Sequence, residues 1–91
     1  MEYKPGMLAK SLAGHDQNKL YVIMREDEMH VFLCDGKIRT LDKLKKKKKK
    51  HVQLISKIPA ELADKLANGS VIYNEDIRKA IGGNTECLKQ M

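Results

Sequence analysis

Leu20-Tyr21-Val22-Ile23-Met24-Arg25-Glu26-Asp27-Glu28-Met29-His30-Val31-Phe32-Leu33-Cys34-Asp35-Gly36 decides the fold. Leu20 to Met24 is the longest uninterrupted apolar run in the chain, and its β-branched and aromatic content reads as a strand. Glu26-Asp27-Glu28 then makes an acidic turn of solvated carboxylates facing away from any anionic partner, and Met29 to Cys34 forms the next strand. Asp35-Gly36 is a dipeptide favoured in type I′ hairpins, so it predicts a tight reversal into Lys37-Ile38-Arg39-Thr40-Leu41 as the return strand. The strand period of two would put Lys37, Arg39 and Leu41 on one face and Ile38 with Thr40 on the other.

Working outward, Pro5-Gly6 marks a turn into a first strand over Met7 to Leu12. The polar stretch from Ala13 to Lys19 is a loop containing Gly14 and Asn18, the residue types that most readily take positive φ. On the other side, His51-Val52-Gln53-Leu54-Ile55 alternates and predicts a fifth short strand. Five short strands within about 50 residues predict a small, strongly bent barrel. Met7, Met24 and Met29 read as gap-filling core or near-core residues, and Tyr21 as a wall residue with its hydroxyl reaching solvent.

From Ser56 the period changes. Pro59 opens a short helix whose Leu62, Ala63 and Leu66 share one side, and Asn68-Gly69 stops it. Asn74 reads as the N-cap of a second helix with Ile77 and Ile81 one turn apart and Gly82-Gly83 at its end. The expected architecture is therefore mainly β: a barrel over residues 1–55, including a lysine-rich loop at 43–50, and a short helical C-terminal extension over 56–91.

A chain of 91 residues is a single-domain length and buries only roughly 60% of its unfolded surface, which leaves little room for a deep enzyme cleft. Cys34 and Cys87 form no C-x-x-C pattern and the N-terminal residues hold no apolar signal region, so a reducing, cytoplasmic setting is the expectation. The longest apolar run is far short of the ~20 residues that cross a bilayer.

Charge is concentrated. Residues 37–51 hold nine lysines and arginines against Asp42 alone, leaving the rest of the chain with nine cations against eleven carboxylates. Such a strip on a mildly acidic body seeks a polyanion. Six adjacent lysines repel one another and resist burial, so Lys45 to Lys50 are expected as a solvated, mobile loop. The strip alone fits nucleic acid, an anionic lipid surface or simple solubilisation. Phosphate contacts by themselves do not separate RNA from DNA.

Residues 5–16, Leu20-Tyr21-Val22-Ile23, Asp35-Gly36-Lys37-Ile38-Arg39 and Lys48-Lys49-Lys50-His51 together resemble the small bacterial KOW-domain RNA-binding proteins. Those are similar in turn to KOW-type large-subunit ribosomal proteins of archaea and eukaryotes. The resemblance covers about residues 5–55, and Asn74 to Ile81 also fits the bacterial group. It implies an SH3-like five-strand barrel, with Gly14 at the family's loop glycine and RNA contacts from that loop and from basic loops. His15 and Asn18 stand where a basic residue and a second glycine are usual, and Leu44 with six lysines replaces a Pro-Lys-Lys-Lys approach to the last strand.

The residues agree with RNA as the partner, most readily ribosomal RNA or another structured RNA with ribosomal proteins nearby. Arg78-Lys79 is a lone basic pair, so no basic helix of helix-turn-helix kind is present to read a DNA major groove. The expected contacts are Gly14 and His15 in the first loop, Lys37, Arg39 and Lys43 leading to the run, Lys45, Lys46, Lys47, Lys48, Lys49 and Lys50 in it, and His51 after it. No membrane, small-molecule substrate or cofactor is expected. His15, His30, His51 and Cys34 lack metal-ligand spacing, and Ser11 and Cys34 lack a nucleophile elbow or base, so the protein reads as non-enzymatic. The alternative is a protein-binding adaptor of the translation or transcription machinery, using helix residues such as Leu62 and Leu66 while the lysines solubilise or steer.

Overall fold

The computed structural model describes residues 3–55 and 58–89, with side chains through residue 82. Ser56 and the last two residues of the chain lie outside the described residues, as does the Cys87 side chain. The two apolar runs form the central hairpin, β2 (Leu20–Glu26) and β3 (His30–Cys34). Its turn is tied by the Asp27 carboxylate, which accepts the Met29 and His30 amides at 2.9 and 2.6 Å. Strand β1 (Leu8–Ser11) pairs with β2, and β5 (Val52–Ile55) pairs with β1, all antiparallel. The first loop turns on Gly14 at φ +88° and Asn18 at φ +71°, the two residues expected to take that conformation.

The fourth strand is not Lys37 to Leu41. That segment belongs to an irregular loop spanning 35–44, because its amides are taken by a side chain before a sheet can use them. Asp35 Oδ1 accepts the N–H groups of both Lys37 and Arg39 at 2.9 Å, an Asx-type loop rather than a two-residue hairpin. The loop is docked on the second of the two helices that follow: Arg78 Nη1 donates to the Gly36 carbonyl at 2.7 Å, and the Leu41 amide donates to Asn74 Oδ1 at 2.8 Å. The shared face expected for Lys37 and Arg39 therefore does not exist.

Strand β4 is the lysine run itself, Lys45–Lys48, paired with β3 from Leu33↔Lys45 to His30↔Lys48. Lys49–His51 forms a short 3-10 helix that leads straight into β5. The mobile loop expected at 43–50 is thus replaced by an ordered edge strand. Lysine is poor in strand propensity, but propensity is weak beside backbone pairing, and charged edges resist pairing with other chains.

The sheet runs β4-β3-β2-β1-β5, so β4 and β5 are its opposite edges. Laid flat, those edges would be about 19 Å apart at ~4.8 Å per strand. Three residues join them, and that link reaches at most about 14 Å when extended. The sheet must curl.

One face of the curled sheet buries Ala9, Tyr21, Ile23, Val31, Leu33 and Val52. The other face, Leu8, Val22 and Cys34, is covered by α1 (Ala60–Ala67) and α2 (Asn74–Lys89) through Leu62, Ile77 and Ala80. Helix α1 ends as expected, at Asn68 with Gly69 at φ +69°. Helix α2 departs from expectation twice. It continues through Gly82-Gly83, and Asn74 turns its side chain to Leu41 instead of capping its own helix. Asp76 accepts the Tyr73 amide there at 2.9 Å. Met29 is exposed rather than near-core, because it sits in the β2–β3 turn.

Gly36 has φ +78°, and a Cβ there would fall 2.5 Å from the Asn74 carbonyl oxygen. Gly69 has similar φ but open space around it. Gly36→Ala is therefore expected to cost about 1–3 kcal/mol more than Gly69→Ala. At roughly 4–8 °C per kcal/mol for a domain of this size, thermal melts of the two variants separate them.

Candidate functional site

Alternation divides the lysine strand into two sets. Lys45 and Lys47 stand opposite Leu33 and Val31, so they share the inner face, and both reach the carboxylate of Asp16 in the β1–β2 loop. Lys47 Nζ lies 3.0 Å from Asp16 Oδ1 and also donates to the Ala13 carbonyl at 2.9 Å. Lys45 Nζ lies 2.9 Å from Asp16 Oδ2. Two hydroxyls complete the carboxylate's shell: Ser11 Oγ donates to Oδ1 and Tyr21 Oη to Oδ2, each at 2.9 Å. Each oxygen thus receives one ammonium and one hydroxyl. The Tyr21 hydroxyl points to this carboxylate rather than to solvent.

Partial burial opposes charge on Asp16, but hydrogen bonds from Lys45, Lys47, Ser11 and Tyr21 outweigh it and hold the carboxyl far below the usual range. Burial and the Asp16 carboxylate together push the Tyr21 hydroxyl well above its ordinary value. A second pair stands nearby. Burial disfavours charge on Asp35 as well, but Lys19 at 2.6 Å and the Lys37 and Arg39 amides keep its carboxyl below the ordinary value.

Lys46 and Lys48 take the other face, opposite Phe32 and His30. Both are exposed, as is Lys50, and none of the three has a carboxylate partner among the described residues. Lys49 differs from them, because it pairs with Glu26 Oε2 at 3.0 Å and lies over the Tyr3 ring at 5.0 Å. The acidic turn therefore does not simply face away: its first carboxylate neutralises one of the lysines.

A β-bulge supplies a further cation. Pairing shifts between Ile23↔Leu33 and Arg25↔Phe32, so Met24 is the extra residue and Arg25 is brought to the face of Phe32 and Lys46. Without that shift Arg25 would fall opposite Val31 on the inner, apolar face, and re-aiming a side chain is what such bulges do. The Arg25 guanidinium lies 4.3 Å from the Phe32 ring centroid, with Lys46 Nζ at 6.0 Å.

Among the expected contact residues, the structure brings Gly14 to the inward side of the lysine strand, since a Cβ on it would lie 3.8 Å from Lys47 Nζ. His15 is exposed and His51 half-buried in the 3-10 helix. Lys37, Arg39 and Lys43 are exposed but sit in the 35–44 loop, off the strand. Arg25, Phe32 and His30 were not among the expected contacts. The signal for Phe32 and His30 is the alternation of His30, Phe32 and Cys34 against buried Val31 and Leu33, whereas Arg25 arrives through a bulge that alternation does not mark. Of the helix residues that an adaptor surface would use, Leu62 is buried in the core and unavailable.

Among the described residues no helix is long and apolar enough to cross a membrane. Neither the family models nor the curated proteins contain a match to this chain.

Asp16→Asn leaves two largely buried ammonium groups without their counter-charge, and is expected to cost about 3 kcal/mol near neutral pH. The folded-state pKa of Asp16 lies below the unfolded value of about 3.9, so the clamp is fully present above that value and is lost as pH falls through the folded one. Urea unfolding of wild type and Asp16→Asn should therefore show a constant stability gap from pH 8 to about 5 that narrows below about pH 4.

Proposed function

We propose that this protein is a non-enzymatic RNA-binding protein, ribosome-associated, with an SH3-like barrel of the KOW type. The fold part of the reading is supported by the sheet order and by the three-residue link between its two edges, which an unrolled five-strand barrel of that kind would also have. The functional part rests on one observation: the lysine strand satisfies half its charges internally and directs Lys46 and Lys48 outward with Lys50 following, none with a carboxylate partner among the described residues.

Cations left without counter-ions at a rigid edge are suited to phosphates, whose binding releases condensed counterions. The first loop places Gly14 beside inward Lys47 of the same strand, and His15, next in sequence, is exposed. A curled sheet without a basic recognition helix suits folded RNA better than the DNA major groove.

Co-sedimentation with ribosomes across a salt series, with and without nuclease, tests the reading. Changing Lys46, Lys48 and Lys50 together to Gln should reduce the log-log salt slope by about 2, since each phosphate contact contributes about 0.7 on single-stranded regions. Lys45→Gln should lower thermal stability and leave the slope nearly unchanged. Association that is salt-insensitive and survives nuclease would reject RNA as the partner and favour a protein partner.

A further inference from the structure

The chain's single phenylalanine lies on the outward side of the sheet rather than in either apolar core. Helices α1 and α2 cover the row containing Val22 and Cys34 on this face, and the next row, Arg25–Phe32–Lys46, is left uncovered at its ends. Both cations of the row are exposed, and Phe32 between them is partly so. Two residues further along, His30 and Lys48 form the next cross-strand pair on this face.

We propose that this face binds an unpaired nucleotide, with its base stacked on the Arg25–Phe32 layer and its flanking phosphates held by Lys46 and Lys48. The inference rests on the RNA-binding reading and specifies which part of an RNA is taken. The charge is complementary: Arg25 and Lys46 flank the ring at 4.3 and 6.0 Å, Lys48 follows along the same face of the strand, and the row's own pairs contain no carboxylate. The chemistry is that of single-strand platforms, where a ring or guanidinium plane accepts any base face and neighbouring cations follow the backbone. A paired base has no free face to offer, so the platform selects loops, bulges and single strands over duplex. Arg25 already lies against the ring and is pre-oriented as the second layer of the stack. Its place there depends on the bulge at Met24, which gives that irregularity a purpose beyond packing.

Fluorescence anisotropy on the full chain tests this with three probes: a short single-stranded RNA of mixed sequence, the same RNA annealed to its complement, and an abasic strand of equal length. Phe32→Leu preserves bulk and should weaken binding to the single strand by about tenfold without altering the salt slope. It should leave affinity for the abasic strand unchanged. Phe32→Tyr keeps the ring and should restore single-strand binding, which separates stacking from a folding defect. Lys46→Gln with Lys48→Gln should instead flatten the salt slope on all three probes. Equal loss on the normal and abasic strands, or no loss on either, overturns the stacking site while leaving lysine-dependent RNA binding in place. No binding of wild type to any probe overturns the nucleotide site, while ribosome co-sedimentation decides the RNA-binding reading on its own.

Discussion

The Asp16 carboxylate is the constraint on which the rest of the architecture depends. No backbone ladder joins β4 to β5, so hydrogen bonding between strands leaves the curled sheet open at its edges. Asp16 links edge strand β4, through Lys45 and Lys47, to β1 through Ser11 and to β2 through Tyr21. Side chains therefore tie together what the ladder does not. One carboxylate meeting two ammonium groups leaves the cluster positive, and the hydroxyls supply the remaining donors that a partly buried anion needs. The same contact fixes which face of the lysine strand turns inward. A one-residue slip would send Lys46 and Lys48 to Asp16 and expose Lys45 and Lys47, and it would also break the pairing of Leu33 with Lys45.

Much of the fold was legible because apolar alternation and turn chemistry carry it. Leu20 to Met24, Val31 to Cys34, the positive-φ pair Gly14 and Asn18, and the Asn68-Gly69 stop all stand where the residues imply. The lysine run departs from its expected loop for a physical reason. As a block, six like charges imply solvation, whereas strand β4 splits its four lysines two by two between faces and the 3-10 helix leaves Lys49 paired and Lys50 exposed. The decisive partner, Asp16, lies about 30 residues away in sequence, and nothing local to the run announces it. Asp35-Gly36 misled similarly. The dipeptide does turn the chain, but its carboxylate captures the Lys37 and Arg39 amides, and helix α2 packed on Gly36 holds the loop. That is tertiary context overriding a two-residue turn preference.

The candidate site was legible in its charge and hidden in its geometry. The cations were visible as composition, but which of them face solvent depends on cross-strand register. Arg25 lies outside the basic strip in sequence and reaches it only through a bulge, a feature that the Val22-Ile23-Met24-Arg25 pattern does not encode by alternation. Phe32 was more accessible. Its neighbours Val31 and Leu33 are both buried, so the period of two alone places the ring on the opposite face.

Order in the lysine strand changes what an anionic partner would encounter. A mobile loop must be fixed on binding, at about 1–2 kcal/mol per backbone residue, and that cost would offset much of what each phosphate contact supplies. In β4 the backbone is already fixed by β3 and by the Asp16 clamp. The outward lysines stand about 6.8 Å apart, the spacing of alternate residues along a strand. Sequestering Lys45, Lys47 and Lys49 lowers the total charge on offer, yet it converts a diffuse cationic cloud into a one-sided row with a defined direction. On the RNA-binding reading, the carboxylates Asp16 and Glu26 are therefore not competitors of the phosphates. They neutralise the lysines that cannot face the partner, and hold the sheet in the shape that lets the others do so.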